Sequence, residues 1–177
     1  MKVLYEDRYL IVCEKPVGVE SQVNSNGKED MITLLSRYRA QKGEDTYVGL
    51  VHRLDTMTGG AMIYSKREDM TGKLSALVQS RDYKKTYFAV VHGVPEEKEG
   101  EMRDLLYHDK QKNKSFVVTK KRAGVREALA NYKLLESVTR EDGETVSLVE
   151  VELITGRTHQ IRVQFASRKM PLVGDGK

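Results

Sequence analysis

An α+β fold, with a mixed, mostly antiparallel sheet flanked by a few helices, is predicted by three features of this 177-residue chain. Strand-like runs outnumber helical ones, the polar turn "REDGE" joins two of them as a hairpin turn would, and strands do not alternate regularly with helices as a parallel sheet would need. No repeat, low-complexity tract or linker breaks the chain. Its length suits one domain over residues 1–177 with a real core and is too short for two ordinary ones.

"MKVLYED" and "YLIVCEKP" read as two strands closed by a charged turn, and "VGVESQVNSNGKED" as a loop by its Gly, Asn and Ser content. Asp30 suits a helix N-cap, after which Met31, Leu34, Leu35 and Tyr38 recur at helical spacing until Gly43. "YVGLVHR" and "GAMIYSK" are strand-like, and a second helix is expected through Met70, Leu74, Leu77 and Val78. "KKTYFAVVHG" is β-rich, and "VPEEKEGEMRD" reads as a polar connection. Further strands fit "SFVVTKK", "EALANYKLLESVT" and "TVSLVEVELIT", and a last helix is expected from about Thr158 to just before Pro171.

Hydrophobic residues at 39% and charged residues at 32% place the chain among globular proteins, and with Trp absent the core must be aliphatic and Tyr-based. No run approaches the roughly 20 apolar residues of a spanning helix, and the opening "MKVLYEDRYL" has acids where a signal peptide needs apolar residues. A cytoplasmic protein is expected. Cys13 is the one cysteine, so there is no internal disulfide and no cysteine cluster for zinc; its apolar setting "YLIVCEK" predicts a buried, inert thiol.

Net charge is +4 and the sequence pI about 9.0, compatible with a polyanionic partner. Lys110, Lys112, Lys114, Lys120, Lys121, Arg122 and Arg126 follow one another with no acid among them and with Phe116 in their midst. Such a stripe suits a phosphate backbone or a solvated hairpin.

Two stretches combine groups capable of chemistry. In "VHRLDTMTGG", an extended backbone would put Arg53 and Asp55 on one face and His52 and Leu54 on the other, beside a pair of glycines that permit close approach. The Arg–Asp pair either serves chemistry or closes a turn, and a hydrolase using His52 with Asp55 is disfavoured by their opposite faces. In "ITGRTHQIRVQFA", Thr158 as N-cap would align Ile161, Arg162, Phe165 and Ala166, so Arg162 lies in an apolar stripe and requires a carboxylate. Asp55 is the candidate partner, held ionised as a nucleophile should be. Arg157 and His159 flank the same helix start, where an anion is favoured, although His159 equally suits capping its own helix.

"HRLDTMTGG", "KTYFAVVHG" and "TGRTHQIRVQFA", in this order, with the opening "EDRYLIVCEKPVGV" and its Lys-Pro-x-Gly, resemble the motifs of the RluA family of RNA pseudouridine synthases over residues 5 to 177. The resemblance implies the pseudouridine synthase fold with a central cleft and a cofactor-independent isomerase acting on uridines of ribosomal or transfer RNA. It implies Asp55 as catalytic aspartate, Arg162 as its ion-pair partner, Tyr87 as the active-site tyrosine, and Arg53 as the arginine that enters the RNA where the target swings out. Tyr87 read without the motif would be a core tyrosine. His52, Arg157 and His159 are assigned with Arg53 to RNA binding; no metal, membrane or obligate protein partner is expected. Lys15 either touches RNA or closes the turn before Pro16 and is left outside the site. An RNA-binding module without turnover is the alternative function.

Gly59 and Gln164 stand where the family often carries Ser and His. The chain stops at "PLVGDGK", where relatives continue through Gly-Asp-x-x-Tyr-Gly, which predicts that a C-terminal portion of the catalytic domain is missing. The first motif begins within the opening residues, so no separate N-terminal RNA-binding domain is expected.

Overall fold

The computed structural model describes residues 1–23, 27–80 and 82–175. The loop expected over residues 17–30 falls partly on positions 24–26, and these, with the last two positions of the chain, lie outside the described residues. The α+β class holds: three helices accompany two sheets in which every strand pairing is antiparallel among the described residues, and an isolated bridge between Glu20 and Asp30 is parallel. The chain divides into two compact units, Met1–Tyr83 and Lys84–Lys177. No helix among the described residues is long and apolar enough to cross a membrane.

The N-terminal unit contains β1 (Lys2–Glu6), β2 (Leu10–Lys15), α1 (Met31–Gln41), β3 (Gly49–Leu50), β4 (Gly60–Ser65) and α2 (Glu68–Gln79), with sheet order β1-β2-β4-β3. Asp7 closes the first hairpin, its Oδ1 accepting from the Tyr9 and Leu10 amides. Asp30 caps α1 as its sequence position predicts, accepting from the Thr33 amide at 2.9 Å, because a short carboxylate satisfies an N–H that the first turn leaves unpaired. Ile11, Cys13, Met31, Leu35, Met62 and Tyr64 form a fully buried cluster between sheet and helix, and burial pushes the Cys13 thiol up to about 11.

Two expectations need correction in this unit. The strand expected over "YVGLVHR" has only two paired residues, since the chain leaves β4 after Leu50. In α2, Leu74 and Val78 are buried but Leu77 is half exposed; Met70, Leu74 and Val78 follow an i, i+4, i+8 row, and Leu77 falls off it. Gly49 is required where α2 approaches β3, for a Cβ there would overlap Thr71 Oγ1.

The C-terminal unit contains β5 (Lys85–His92), β6 (Glu99–Asp109), β7 (Lys114–Val118), β8 (Val125–Thr139), β9 (Thr145–Leu153) and α3 (Gln160–Ser167), ordered β5-β9-β8-β6-β7 in one sheet. Ala89, Val91, Met102, Ala130, Val149 and Val151 of the sheet close over Phe165 of α3. The polar connection expected over residues 94–104 is corrected: from Glu99 it is the first half of an eleven-residue strand. Its charges Glu99, Glu101 and Arg103 recur at period two and all face solvent, while Met102 and Leu106 point inward. The last helix starts one residue later than expected, with His159 rather than Thr158 at the N-cap, and ends at Ser167.

Candidate active site

In the N-terminal unit His52, Arg53 and Asp55 share the loop between β3 and β4. Exposure alternates along it, with Arg53 and Asp55 open and His52 and Leu54 half buried, as an extended chain dictates. Arg53 has no hydrogen bond or ion pair among the described residues, so an Arg53–Asp55 pair is not what closes the turn; the Thr58 amide does so by donating to the Asp55 carbonyl at 2.9 Å. His52 Nε2 accepts from the Ile63 amide at 3.1 Å, one residue beyond the last rung between β3 and β4. The imidazole thus takes the place of the missing strand.

The loop is pinned from beneath. Ser21 Oγ donates to the Leu54 carbonyl at 2.7 Å and accepts from the Leu54 amide at 3.0 Å, and the Gly18 amide donates to the Thr56 carbonyl at 2.8 Å. Lys15 is fully buried, and its Nζ donates to the carbonyls of Pro16, Val19 and Thr56 at 2.9, 2.6 and 3.1 Å. It therefore ties the turn after Pro16 to the loop that carries Asp55. Burial pulls the Lys15 ammonium below its ordinary value, and the charges of Glu20 and Asp55 oppose that pull. Gly60, at φ +143°, turns the chain into β4 through a conformation that side-chain-bearing residues avoid.

In the C-terminal unit Tyr87 lies on β5, half buried and in register with Val151. Arg162 lies on α3, and the carboxylate that meets it within this unit is Asp175: Arg162 Nε donates to Asp175 Oδ2 at 2.7 Å and Nη2 donates to Oδ1. Sequence reasoning did not single out Asp175. Its place depends on the segment before it, which runs beside β5: the His92 amide donates to the Pro171 carbonyl, the Val173 amide to the Val90 carbonyl, and the Asp175 amide to the Leu172 carbonyl. The available signal was an aspartate between glycines after an apolar triplet.

The apolar stripe expected on α3 is also corrected. Phe165 is buried, but Ala166 is exposed, and the other buried positions are Gln160 and Gln164. Gln160 Oε1 accepts from the Arg157 amide and the Thr155 hydroxyl, while its Nε2 donates to the Leu129 carbonyl and to Gln164 Oε1. Gln164 Nε2 donates in turn to the Met102 carbonyl and Asp104 Oδ2. With all their polar atoms engaged these amides can enter a core that unpaired ones could not.

His159 adopts a left-handed backbone at φ +56° and its side chain does not cap the helix; its ring meets that of His108 edge-on at 6.0 Å. His108 in turn contacts Ser115, whose hydroxyl donates to the Thr158 carbonyl at 2.7 Å. Arg157 Nε donates to the Glu127 carbonyl at 2.9 Å, and no other guanidinium nitrogen of Arg157 has a partner among the described residues. Among the described residues no group of three His, Cys, Asp or Glu is placed to hold a metal ion.

A family model described as RNA pseudouridylate synthase matches residues 9–167. A Bacillus subtilis protein described as an uncharacterized RNA pseudouridine synthase, YhcT, is 34% identical over 178 residues, covering 99% of this chain and 56% of its own. Ribosomal large subunit pseudouridine synthase C of Buchnera aphidicola is 32% identical over 176 residues, covering 99% and 53%. The chain thus spans about half the length of the curated relatives it matches. Among solved structures, human RNA pseudouridylate synthase domain containing 4 superposes with a TM-score of 0.78 at 26% identity, covering 98% of this chain and 67% of that one. With a family model spanning most of its length and relatives alike along nearly all of it, this chain belongs to the RNA pseudouridylate synthase family.

Proposed function

We propose that this protein is a cytoplasmic RNA pseudouridine synthase that isomerises uridines of ribosomal or transfer RNA without a cofactor, and that residues 1–177 belong to its catalytic domain. The observation that carries this reading is the loop of Asp55: an exposed aspartate in the family's motif, on a backbone that Lys15 and Ser21 hold by the carbonyls of Thr56 and Leu54 on either side of it. A backbone fixed before substrate arrives leaves the carboxylate it carries less freedom to lose in the transition state. The names of relatives that act on the large ribosomal subunit favour ribosomal RNA.

The target uridine is unreactive while stacked and is flipped out, at a cost of a few kcal/mol that phosphate contacts and an inserted side chain offset. Arg53, planar, charged and without a protein partner among the described residues, suits that insertion. Asp55 serves as the nucleophile. Its carboxylate attacks C1′ as the C1′–N1 bond breaks, the freed uracil turns, C5 bonds to C1′ as the Asp55–C1′ bond breaks, and the C5 proton leaves to solvent while N1 takes one up. Tyr87 supports the uracil face and the proton's departure. Arg162 acts as the cation of the site, and His52, Arg157 and His159 serve RNA binding, with the unbonded end of the Arg157 guanidinium suited to a phosphate.

Release of tritium from RNA carrying 5-³H-uridine, isolated from cells lacking the gene, tests the reading. The unaltered protein should release tritium and Asp55→Asn should do so at least about a thousandfold more slowly. Binding without release from either protein would move the assignment to an RNA-binding module.

A further inference from the structure

The basic stripe between residues 110 and 126 is given a shape by the sheet. β7 is the edge strand, joined to β6 by a turn in which Asp109 Oδ1 accepts from the Gln111 and Lys112 amides, so that the one acid at this turn is already engaged. Register places Tyr107 opposite Phe116 and Asp109 opposite Lys114, and these side chains share the face of the hairpin that looks away from α3. His108 and Ser115 share the other face, where Ser115 holds Thr158. On the outward face Phe116 is 45% exposed, and Arg122, from the loop after β7, lies 5.0 Å over the ring of Tyr107. All seven cations of the stripe are exposed, and none has an acidic partner among the described residues.

Exposed cations that alternate with a bare aromatic ring match the needs of single-stranded nucleic acid, which offers phosphates and flat base faces in alternation. Strand addition by another protein is disfavoured, because this edge strand is only five residues long, begins with Lys114 and is flanked by Lys112, Lys120 and Lys121. We propose that the outward face of the β6–β7 hairpin is an RNA-docking surface, with Lys112, Lys114, Lys121 and Arg122 on phosphates and Phe116 stacked on an unpaired base. The assignment rests on the reading of the protein as an RNA-modifying enzyme and adds where, outside the residues of the family motifs, the substrate is held. Arg157 and His159 flank Thr158, whose carbonyl Ser115 of β7 holds, and the His159 ring meets that of His108 on β6, so the hairpin and these motif residues belong to one connected surface element.

The test compares two variants of equal net charge. One carries Lys112→Gln, Lys114→Gln and Lys121→Gln; the other carries Lys2→Gln, Lys28→Gln and Lys73→Gln, three exposed lysines of the N-terminal unit. Affinity for a transcript of large-subunit ribosomal RNA made in vitro is measured between about 50 and 200 mM salt. The hairpin variant should lower the slope of log affinity against log salt by about 2, at about 0.7 for each single-strand phosphate contact, and the control should leave it nearly unchanged. Phe116→Ala should weaken binding about tenfold with the slope intact. An unaltered slope in the hairpin variant, an equal fall in the control, or no binding by the unaltered protein overturns the proposal. Tritium release is read on the same preparations: its absence from the unaltered protein, with hairpin-dependent binding present, would overturn the enzymatic reading alone.

Discussion

Lys66 in the N-terminal unit donates to Glu6 at 2.6 Å, meets Glu44 at 2.9 Å and is almost wholly buried, whereas Lys114 on the β6–β7 hairpin stands in solvent with no acid beside it among the described residues. The contrast extends to their neighbours. Lys42 also meets Glu6 and Glu44, Arg39 meets Glu44 and the Lys66 carbonyl, and the Tyr38 hydroxyl donates to Glu6. Lysines are thus used in two ways in one chain: paired and inside, a cation joins elements of the fold; unpaired and outside in a row, it is available to a partner. Net charge alone cannot separate these uses, since each lysine counts equally toward +4.

Lys15 sharpens the comparison most. It is a buried cation whose partners are three carbonyls, so Lys15→Met should cost about 3 kcal/mol in urea unfolding and slow tritium release by loosening the loop of Asp55. Unchanged stability would mean that the carbonyls find other donors and that Lys15 holds nothing.

The acid limb of stability comes next in size. Burial works to raise the Glu6 carboxyl, but hydrogen bonds from Lys66, Lys42 and Tyr38 outweigh it and hold the group down at about 2, below its ordinary 4.5. Glu44 is likewise held low, by hydrogen bonds from Lys66 first and then from Lys42 and Arg39. A carboxyl depressed in the folded state stabilises it fully above its unfolded value and progressively less as pH falls. Glu6 should therefore contribute on the order of 2 kcal/mol that disappears between pH 4.5 and about 2, and Glu6→Gln should flatten that limb of a pH series of unfolding curves.

The smallest effect belongs to the other side of the comparison. Neutralising Lys112, Lys114 and Lys121 should leave unfolding free energy within about 0.5 kcal/mol, for side chains without partners stabilise little. A larger loss in thermal melts would make them structural and break the distinction.

Local chemistry accounts for what was legible in advance. Asp30 capping α1, the turn at "REDGE" and the strands β1, β2, β5 and β9 depend on residues within a few positions of one another, and short-range physics reads them directly. The first half of β6 reads as a polar connection because its exposed face is so densely charged that it hides the alternation, for which Met102 and Leu106 at the right parity are the signal. In the candidate site, the loop of Asp55 and the residues around α3 could be found from their motifs. For Lys15 the turn-closing role was among the readings its sequence allowed, but its bond to the Thr56 carbonyl and the bond of His52 to the Ile63 amide were not legible, since distant parts of the chain bring those backbone groups near.

By itself the sequence determined the class of fold, the family motifs and the placement of Asp55 and Arg53 on one side of an extended loop, because period, capping and spacing act over short distances. Tertiary structure alone decided that Asp175 meets Arg162 within the C-terminal unit, that Gln160 and Gln164 can be buried, and that the stripe of cations wraps an edge hairpin. The physical reason is common to all three. A buried polar group is tolerated only when a partner from another part of the chain satisfies it, and an exposed row of charge acquires a face only when strand register aligns it.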